Sequence, residues 1–252
     1  MRVTSLRLIP SSARALLAML FAVALVGSLL TSATAFAPNA QAQEARPVLG
    51  GGTPLLFDGG KALCTATASG WDNANRAIVF TAGHCSSAVG EAVDVPGAGT
   101  TGHVVARNEI LDYSVVQVDP NKVTLVRQAG VADRGAPPNQ GDNICKLGAS
   151  TGLTCGPTWQ VADNTIYSQV CAGRGDSGGP VMNGDRLVGM LNGGTMPPLA
   201  QDAGVGSVGN VLPECFISWQ HPFFLPAYGT TFDAIVNDVA ARNWPGTGFR
   251  MA

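Results

Sequence analysis

Three segments of the chain carry residues that could act together as a nucleophile, a base and an orienting acid. Residues 175–180 read Gly-Asp-Ser-Gly-Gly-Pro, so that glycines flank a serine. A nucleophilic serine needs an exposed hydroxyl on a tight turn, and glycine permits the backbone angles of such a turn. We therefore expect Ser177 to be a nucleophile, with the backbone N–H groups of Gly175 and Ser177 as donors to a developing oxyanion.

The candidate base is one of three histidines. His84 lies in Thr-Ala-Gly-His-Cys, after the apolar residues 77–80 and beside a cysteine. An imidazole titrates in the range needed to take a proton from a serine hydroxyl. Alone, His84 could equally be a structural histidine at a strand end, but the presence of Ser177 favours the base. We expect His103 and His221 to be surface or loop residues.

The third group must be a carboxylate that orients the imidazole. Asp112 lies among apolar residues in the segment 110–118, and a partly buried acid needs a partner. Asp94 and Asp119 are alternatives, although the Asp-Pro-Asn turn gives Asp119 a structural reason of its own. Asp112 is therefore the expected partner of His84.

Short β-rich segments between turn residues must position these groups. Many short strands with closely spaced turns indicate a β-barrel or a β-sandwich. The strand candidates are Ala77–Thr81, Gly102–Arg107, Tyr113–Val118, Thr158–Ile166, Pro180–Met182 and Arg186–Leu191. Residues 193–213 are rich in glycine and proline, and they predict a long surface loop.

One helix is expected near the end of the sequence. Thr230 or Thr231 could be its N-cap, and residues 244–246 (Trp-Pro-Gly) would follow its end. The residues that recur at helical spacing on one apolar face are Phe232, Ile235, Val236 and Val239.

The first 42 residues have the order of a secretory signal peptide. Three arginines precede the apolar run of residues 15–30, small residues follow, and no acidic residue occurs before Glu44. The run is shorter than the roughly 20 apolar residues of a membrane span. We expect cleavage after Ala42, with Ala35 or Ala37 as alternatives and a retained anchor as the other interpretation. The mature protein would be secreted or extracytoplasmic.

Composition narrows the class of protein further. The net charge is −2 and only 13% of residues are charged, with no basic stripe, so nucleic acid is not an expected partner. An even number of cysteines in an exported chain predicts three disulfides, although six cysteines allow 15 pairings. A zinc site is the competing use, but the sequence has no C-x-x-C pair. The cysteines are Cys64, Cys85, Cys145, Cys155, Cys171 and Cys215.

These motifs, in the order histidine, aspartate, serine, resemble the chymotrypsin-like (trypsin-like) serine proteases. Three features resemble the bacterial branch of alpha-lytic protease and the streptogrisins. Cys171 precedes Ser177 by six residues, Cys145 and Cys155 bound a short segment, and residues 48–51 read Val-Leu-Gly-Gly. The resemblance covers most of the chain from about residue 48 to residue 239.

The resemblance implies an all-β fold of two six-stranded antiparallel β-barrels with a C-terminal α-helix. The barrels would span residues 43–128 and 129–230, and the helix and tail would span residues 231–252. No metal and no organic cofactor are implied. The implied disulfides are Cys64–Cys85, Cys145–Cys155 and Cys171–Cys215.

The resemblance also implies roles around the serine. Asp176 would form a structural ion pair with Lys146, which stands where the bacterial branch has an arginine. Asn192 stands where the family usually has a serine. A neutral pocket for small or medium apolar side chains is expected. The implied substrate-binding residues are Cys171, Ala172, Leu191, Asn192, Gly193 and Gly194.

Together these features predict a secreted serine endopeptidase that hydrolyses polypeptides through an acyl-enzyme. We expect a monomer without stable membrane insertion after signal cleavage. The alternatives are a catalytically silent homologue that binds a partner, an esterase with the same triad, and a structural surface protein. The sequence leaves open the physiological substrate and the mature N-terminus.

Overall fold

The computed structural model describes residues 46–194 and 226–252. These residues form β-sheets with one α-helix, α1 (Phe232–Ala241). The strands are β1 (Val48–Leu49), β2 (Pro54–Phe57), β3 (Ala62–Thr65), β4 (Ala68–Trp71), β5 (Ala77–Ala82), β6 (Ala92–Val95), β7 (Gly99–Asn108), β8 (Tyr113–Val118), β9 (Thr124–Leu125), β10 (Asp133–Arg134), β11 (Asn143–Gly148), β12 (Gly152–Ala162), β13 (Thr165–Ser168), β14 (Pro180–Asn183), β15 (Arg186–Gly194), β16 (Ala227–Thr231) and β17 (Arg250–Met251).

The strands of the first half form a curled antiparallel sheet. Its order is β17-β4-β5-β8-β7-β6-β2-β3. The central strand β5 is rich in apolar and β-branched residues, and all six of its residues are buried. The last strand in the sequence, β17, pairs with β4 at one edge, so that Arg250 lies opposite Trp71. This sheet is a curled half-barrel of eight strands, which is consistent with the first barrel of the predicted two-barrel fold.

The strands of the second half close on themselves. Six of them form a ring in the order β11-β12-β13-β16-β15-β14, and β10 adds to β15 in parallel. The predicted all-β architecture with a C-terminal helix is therefore confirmed, with one closed six-stranded barrel.

One strand prediction is wrong. Thr158–Ile166 was expected as a single strand, but β12 ends at Ala162 and β13 begins at Thr165. Asp163 and Asn164 have φ values of +49° and +66°. Two consecutive left-handed residues reverse the chain in a tight hairpin, and Asp and Asn tolerate this conformation better than most residues.

Helix α1 packs its apolar face into the core. Phe232, Ile235 and Val239 are buried, and the Phe232 ring lies edge-on to Phe80 with 5.5 Å between centroids. Phe80 belongs to β5, so helix α1 packs against the core of the first sheet as well as against the second barrel. The helix begins after Thr231, whose hydroxyl makes no capping hydrogen bond.

Two disulfides are present among the described residues, Cys64–Cys85 and Cys145–Cys155. The third implied disulfide involves Cys215, which lies outside the described residues and stays a prediction. Most of the predicted loop 193–213 also lies outside them, although Gly193 and Gly194 belong to β15. No helix in the described ranges has the length and apolarity to cross a membrane.

Candidate active site

His84 and Asp112 are brought together by neighbouring strands. Antiparallel pairing sets Ala82 at the end of β5 opposite Tyr113 at the start of β8. His84 follows on a single 3-10 turn, and its Nδ1 lies 2.8 Å from Asp112 Oδ2. The backbone N–H of His84 donates to Asp112 Oδ1 at 2.7 Å. Because an ionised carboxylate only accepts, Nδ1 carries the proton and Nε2 of the neutral ring is left as a base.

Asp112 is ionised in spite of its partial burial. Burial disfavours the charged form, but hydrogen bonds from His84 and Asn192 outweigh it and hold the pKa of the Asp112 carboxyl below its usual value. The backbone of Asp112 has φ +47°, in the left-handed region that L-residues seldom adopt. Its carbonyl accepts hydrogen bonds from the Gly83 N–H and from Asn192 Nδ2, each at 2.8 Å.

Asn192 supports the acid with its side chain. Its Nδ2 donates to Asp112 Oδ2 at 2.8 Å, and its Oδ1 accepts the Thr230 N–H at 2.8 Å. The Thr230 N–H needs an acceptor, so the amide oxygen of Asn192 faces Thr230. The amide nitrogen therefore faces Asp112, where it can donate to the carboxylate. Sequence reasoning placed Asn192 among the substrate-facing residues and missed this contact. The residue type, a polar side chain in an apolar strand, was the available signal.

Ser177 lies on a glycine-rich turn after a loop whose residues are mostly buried or half-buried. Gly175 has φ +95°, and a Cβ there would lie 2.2 Å from Ser150 Oγ, so only glycine fits. The Ser177 hydroxyl lies 3.3 Å from the carbonyl oxygen of Asn192, and within the described residues no hydrogen bond joins it to His84. Within the same residues the N–H groups of Gly175 and Ser177 donate to no acceptor. Two unpaired donors at one turn are what an oxyanion would need.

Two buried threonines hold this turn, Thr65 at the end of β3 and Thr67 in the connection between β3 and β4. Thr65 Oγ1 donates to the Gly175 carbonyl at 2.7 Å, and Thr67 Oγ1 donates to the Gly178 carbonyl at 2.6 Å. The Thr65 N–H also donates to the Ser177 carbonyl at 2.8 Å. The turn is therefore fixed to the half of the chain that carries His84. Sequence reasoning missed both threonines, because their partners lie more than 100 residues away.

A buried ion pair lies beneath the turn. Lys146 Nζ lies 2.9 Å from Asp176 Oδ2, and both side chains are fully buried. The Asp176 carboxylate also accepts the N–H groups of Ser150, Thr151 and Gly173. Burial opposes ionisation of Asp176, but hydrogen bonds from Thr151 and Lys146 outweigh it and hold the pKa of this carboxyl below its usual value.

The residues expected to bind substrate differ in exposure. Gly194 is exposed, and Gly193 and Ala172 are half-buried, whereas Cys171, Leu191 and Asn192 are buried. Leu191 belongs to the core of the second barrel, with Ala172 packed against that core. A Cβ on Gly193 would lie 3.4 Å from the ring of Tyr228, a residue that sequence reasoning did not single out. His103 lies exposed on β7, and His221 lies outside the described residues.

Comparisons with solved structures identify the fold. The chain is similar to Thermobifida fusca protease A (19% identity, TM-score 0.57, covering 81% of this chain and 100% of that chain). It is also similar to Nocardiopsis protease (20% identity, TM-score 0.56, 81% and 100%) and Cellulomonas bogoriensis chymotrypsin (21%, 0.54, 81% and 98%). The fold is that of the bacterial chymotrypsin-like serine proteases. At these identities the likeness concerns the fold alone.

Comparisons with known sequences say less about this protein than the comparisons with solved structures do. No family model matches the chain. The uncharacterized protein Rv1815 of Mycobacterium tuberculosis is 31% identical over 121 residues, which cover 41% of this chain and 55% of the relative. The uncharacterized protein MT1863 of the same species is 33% identical over 123 residues, with the same shares covered. The chain thus spans about half the length of the curated relatives it matches.

No cluster of three or more metal-ligating side chains occurs in residues 46–194 and 226–252. The arrangement unites a hydroxyl, a carboxylate-oriented imidazole and two unpaired N–H donors. The hydroxyl and the N–H donors share one turn, whereas the imidazole and its carboxylate come from two other segments, and only the fold brings the three segments together.

Proposed function

We propose that the protein is a serine endopeptidase in which Ser177, His84 and Asp112 form the catalytic triad. One observation carries the proposal: Asp112 holds both the backbone and the ring of His84, next to a nucleophile turn with two unpaired N–H groups. The protease fold supports it, because the same constellation has an established use on that fold.

In the proposed reaction Ser177 Oγ attacks the peptide carbonyl carbon, and His84 Nε2 takes the hydroxyl proton. The N–H groups of Gly175 and Ser177 stabilise the oxyanion of the tetrahedral intermediate. His84 then gives its proton to the leaving amine, and the acyl-enzyme remains. Water attacks the acyl-enzyme in the same way, with His84 as base, and releases the acid with Ser177 regenerated.

The serine hydroxyl must turn from the Asn192 carbonyl towards His84 for this step. Catalytic hydrogen bonds in unliganded enzymes are often long and tighten only when substrate is bound. A substrate N–H that takes the Asn192 carbonyl as its acceptor would free the hydroxyl. The proposal therefore connects substrate binding to activation of the nucleophile.

We propose a polypeptide substrate with a small or medium apolar side chain at the cleaved bond. Ala172, Gly193 and the ring of Tyr228 give neutral, mostly apolar surroundings on the described side of the site. We further propose a secreted monomer, with residues 1–42 as the signal peptide. The barrel boundaries 43–128 and 129–230, and the helix and tail at 231–252, are proposed with it. Two disulfides support an oxidising location.

A serine-reactive fluorophosphonate tests the proposal. Residues 43–252, oxidised and folded, are exposed to the reagent, and the intact mass is measured beside that of Ser177→Ala and Ser150→Ala. We expect one adduct on the parent and on Ser150→Ala, and none on Ser177→Ala. A folded parent without an adduct would refute an activated nucleophile and favour the silent, partner-binding alternative.

Cleavage profiling then tests the substrate class. A peptide library should be cut after small or medium apolar residues, and matched ester substrates show whether amide hydrolysis is the main activity. Cleavage confined to bonds after charged residues would contradict the neutral pocket.

A further inference from the structure

The loop that carries Asp112 is tied to helix α1 by a single carboxylate. Asp238 Oδ2 accepts the Asn108 Nδ2–H at 2.7 Å, and it also accepts the hydroxyl of Tyr113. Asn108 ends β7 and Tyr113 begins β8, so the two donors bracket the loop of residues 109–112. The partners are separated from Asp238 by 130 and 125 residues in the sequence.

This loop needs to be held, because Asp112 has a left-handed backbone. A non-glycine residue at φ +47° is strained and persists only where its surroundings fix it. Asn108 contributes from inside the loop, where its Oδ1 accepts the N–H groups of Ile110 and Leu111 at 2.9 Å and 3.1 Å. The same side chain thus folds the loop with one atom and binds Asp238 with the other.

Burial distinguishes the loop contacts of Asp238 from its other interaction. Asn108 and Tyr113 are buried, whereas Arg242, which pairs with Asp238 four residues along the helix, is 45% exposed. An exposed pair of this kind contributes little to stability. Hydrogen bonds from two buried donors to one carboxylate are costly to lose, because neither donor can turn to bulk water for a replacement.

We propose that Asp238 is a positioning residue for the triad, and that it acts through Asn108 and Tyr113 to hold Asp112 in the geometry that orients His84. The inference rests on the proposed function, since orientation of His84 matters only if His84 is a base. Asp238 does not touch His84 or Ser177. Its effect would be to keep the Asp112 carboxylate aligned with His84 Nδ1.

The test compares Asp238→Ala with Asp233→Ala, a matched control on the same helix that makes none of these contacts. Asp238→Asn is the conservative variant, since its amide oxygen in the place of Oδ2 can still accept both donors but carries no negative charge. Two quantities are measured on folded, oxidised protein: kcat and KM for a peptide substrate, and the NMR signal of the His84 Nδ1 proton in ¹⁵N-histidine-labelled protein. His84→Ala assigns that signal.

We expect Asp238→Ala to lower kcat by about 10- to 100-fold with little change in KM, because misplacement of a catalytic group has that effect. The His84 Nδ1 proton signal should shift or broaden. Asp238→Asn should lie between Asp238→Ala and the parent in kcat and in the His84 Nδ1 proton signal. Asp233→Ala should match the parent in both quantities. A helix that only stabilises the fold would lower the amount of folded protein and leave the signal of the folded protein unchanged.

An unchanged His84 Nδ1 signal in folded Asp238→Ala would overturn the proposal, whatever the activity. A parent protein that is folded but has no peptidase activity would refute the proposed function instead. The NMR comparison would still report whether Asp238 orients His84, so the two failures are distinguishable.

Discussion

Replacing Lys146 with methionine should destabilise the protein, because it leaves the Asp176 carboxylate buried without a cation. Both side chains of the pair are 0% exposed. Breaking a buried pair by removing one partner costs about 3–5 kcal/mol. Asp176 would keep four hydrogen-bond donors, three backbone N–H groups and the Thr151 hydroxyl. We therefore expect a loss at the lower end of the range, about 3 kcal/mol.

Removing the other charge of the ion pair, with Asp176→Asn, should lower the free energy of unfolding by more than Lys146→Met does. Lys146 would then be a buried cation with uncharged acceptors alone, among them the Thr151 hydroxyl and the Gly152 carbonyl. The new amide NH₂ would also face backbone N–H groups that need an acceptor. We therefore expect Asp176→Asn to lower the free energy of unfolding by an amount near the upper end of that range, about 5 kcal/mol. Which of the two variants loses more unfolding free energy is a sharper test than the size of either loss.

Urea unfolding of residues 43–252 near neutral pH, with disulfides intact, measures both losses. Lys61→Met is the control, because it breaks an ion pair with Asp58 in which both side chains are exposed. Such exposed pairs contribute about 0–1 kcal/mol. If Lys146→Met lowers the free energy of unfolding no more than Lys61→Met does, the reasoning from burial is refuted.

Three further changes test other parts of the structure. Replacing Cys64 and Cys85 together with serine should lower the free energy of unfolding by about 3 kcal/mol, since the bond closes a 21-residue separation; a loss below about 1 kcal/mol by urea unfolding would contradict this. Gly175→Ala should lower kcat by about 10²-fold or more, because the new Cβ would lie 2.2 Å from Ser150 Oγ and displace an oxyanion donor; normal kinetics would show that the donor is not used. Because the pKa of Asp112 lies below its unfolded value of 3.8, its ionisation stabilises the fold above that pH, and the contribution is lost as the pH falls through the folded pKa. The difference in unfolding free energy between the parent and Asp112→Asn should therefore shrink below about pH 3.8, and a difference that grows in acid would reverse the assigned direction of the pKa shift.

Much of the fold could be predicted from local sequence patterns. The run of apolar residues in β5 and the helical spacing in α1 correspond to elements of the structure. The error at Asp163–Asn164 has a local cause. β-branched and aromatic residues on both sides favour a strand, and the pair looks like ordinary polar strand positions unless its tolerance of positive φ is weighed.

Long-range contacts of the candidate site were harder to foresee. The Asn192 amide contacts an acid 80 residues away, and Thr65 contacts a carbonyl 110 residues away. A buried polar side chain signals that a partner exists, but its sequence neighbours do not say which one. Only a motif with an established spatial arrangement could supply the partner, as it did for Lys146 and Asp176.

The pairing of β17 with β4 has a consequence for how the chain acquires its structure. Residues 250–252 complete an edge of a sheet made from the first half, where the Ala252 N–H donates to Ser69 and Asp72 accepts the Gly246 N–H. Residues 250 and 251 are synthesised long after β4, so the first sheet cannot gain this edge strand until they are available. Contacts across some 175 residues also raise contact order, which slows folding. We therefore expect the pairing of β17 with β4 to be a late step of folding.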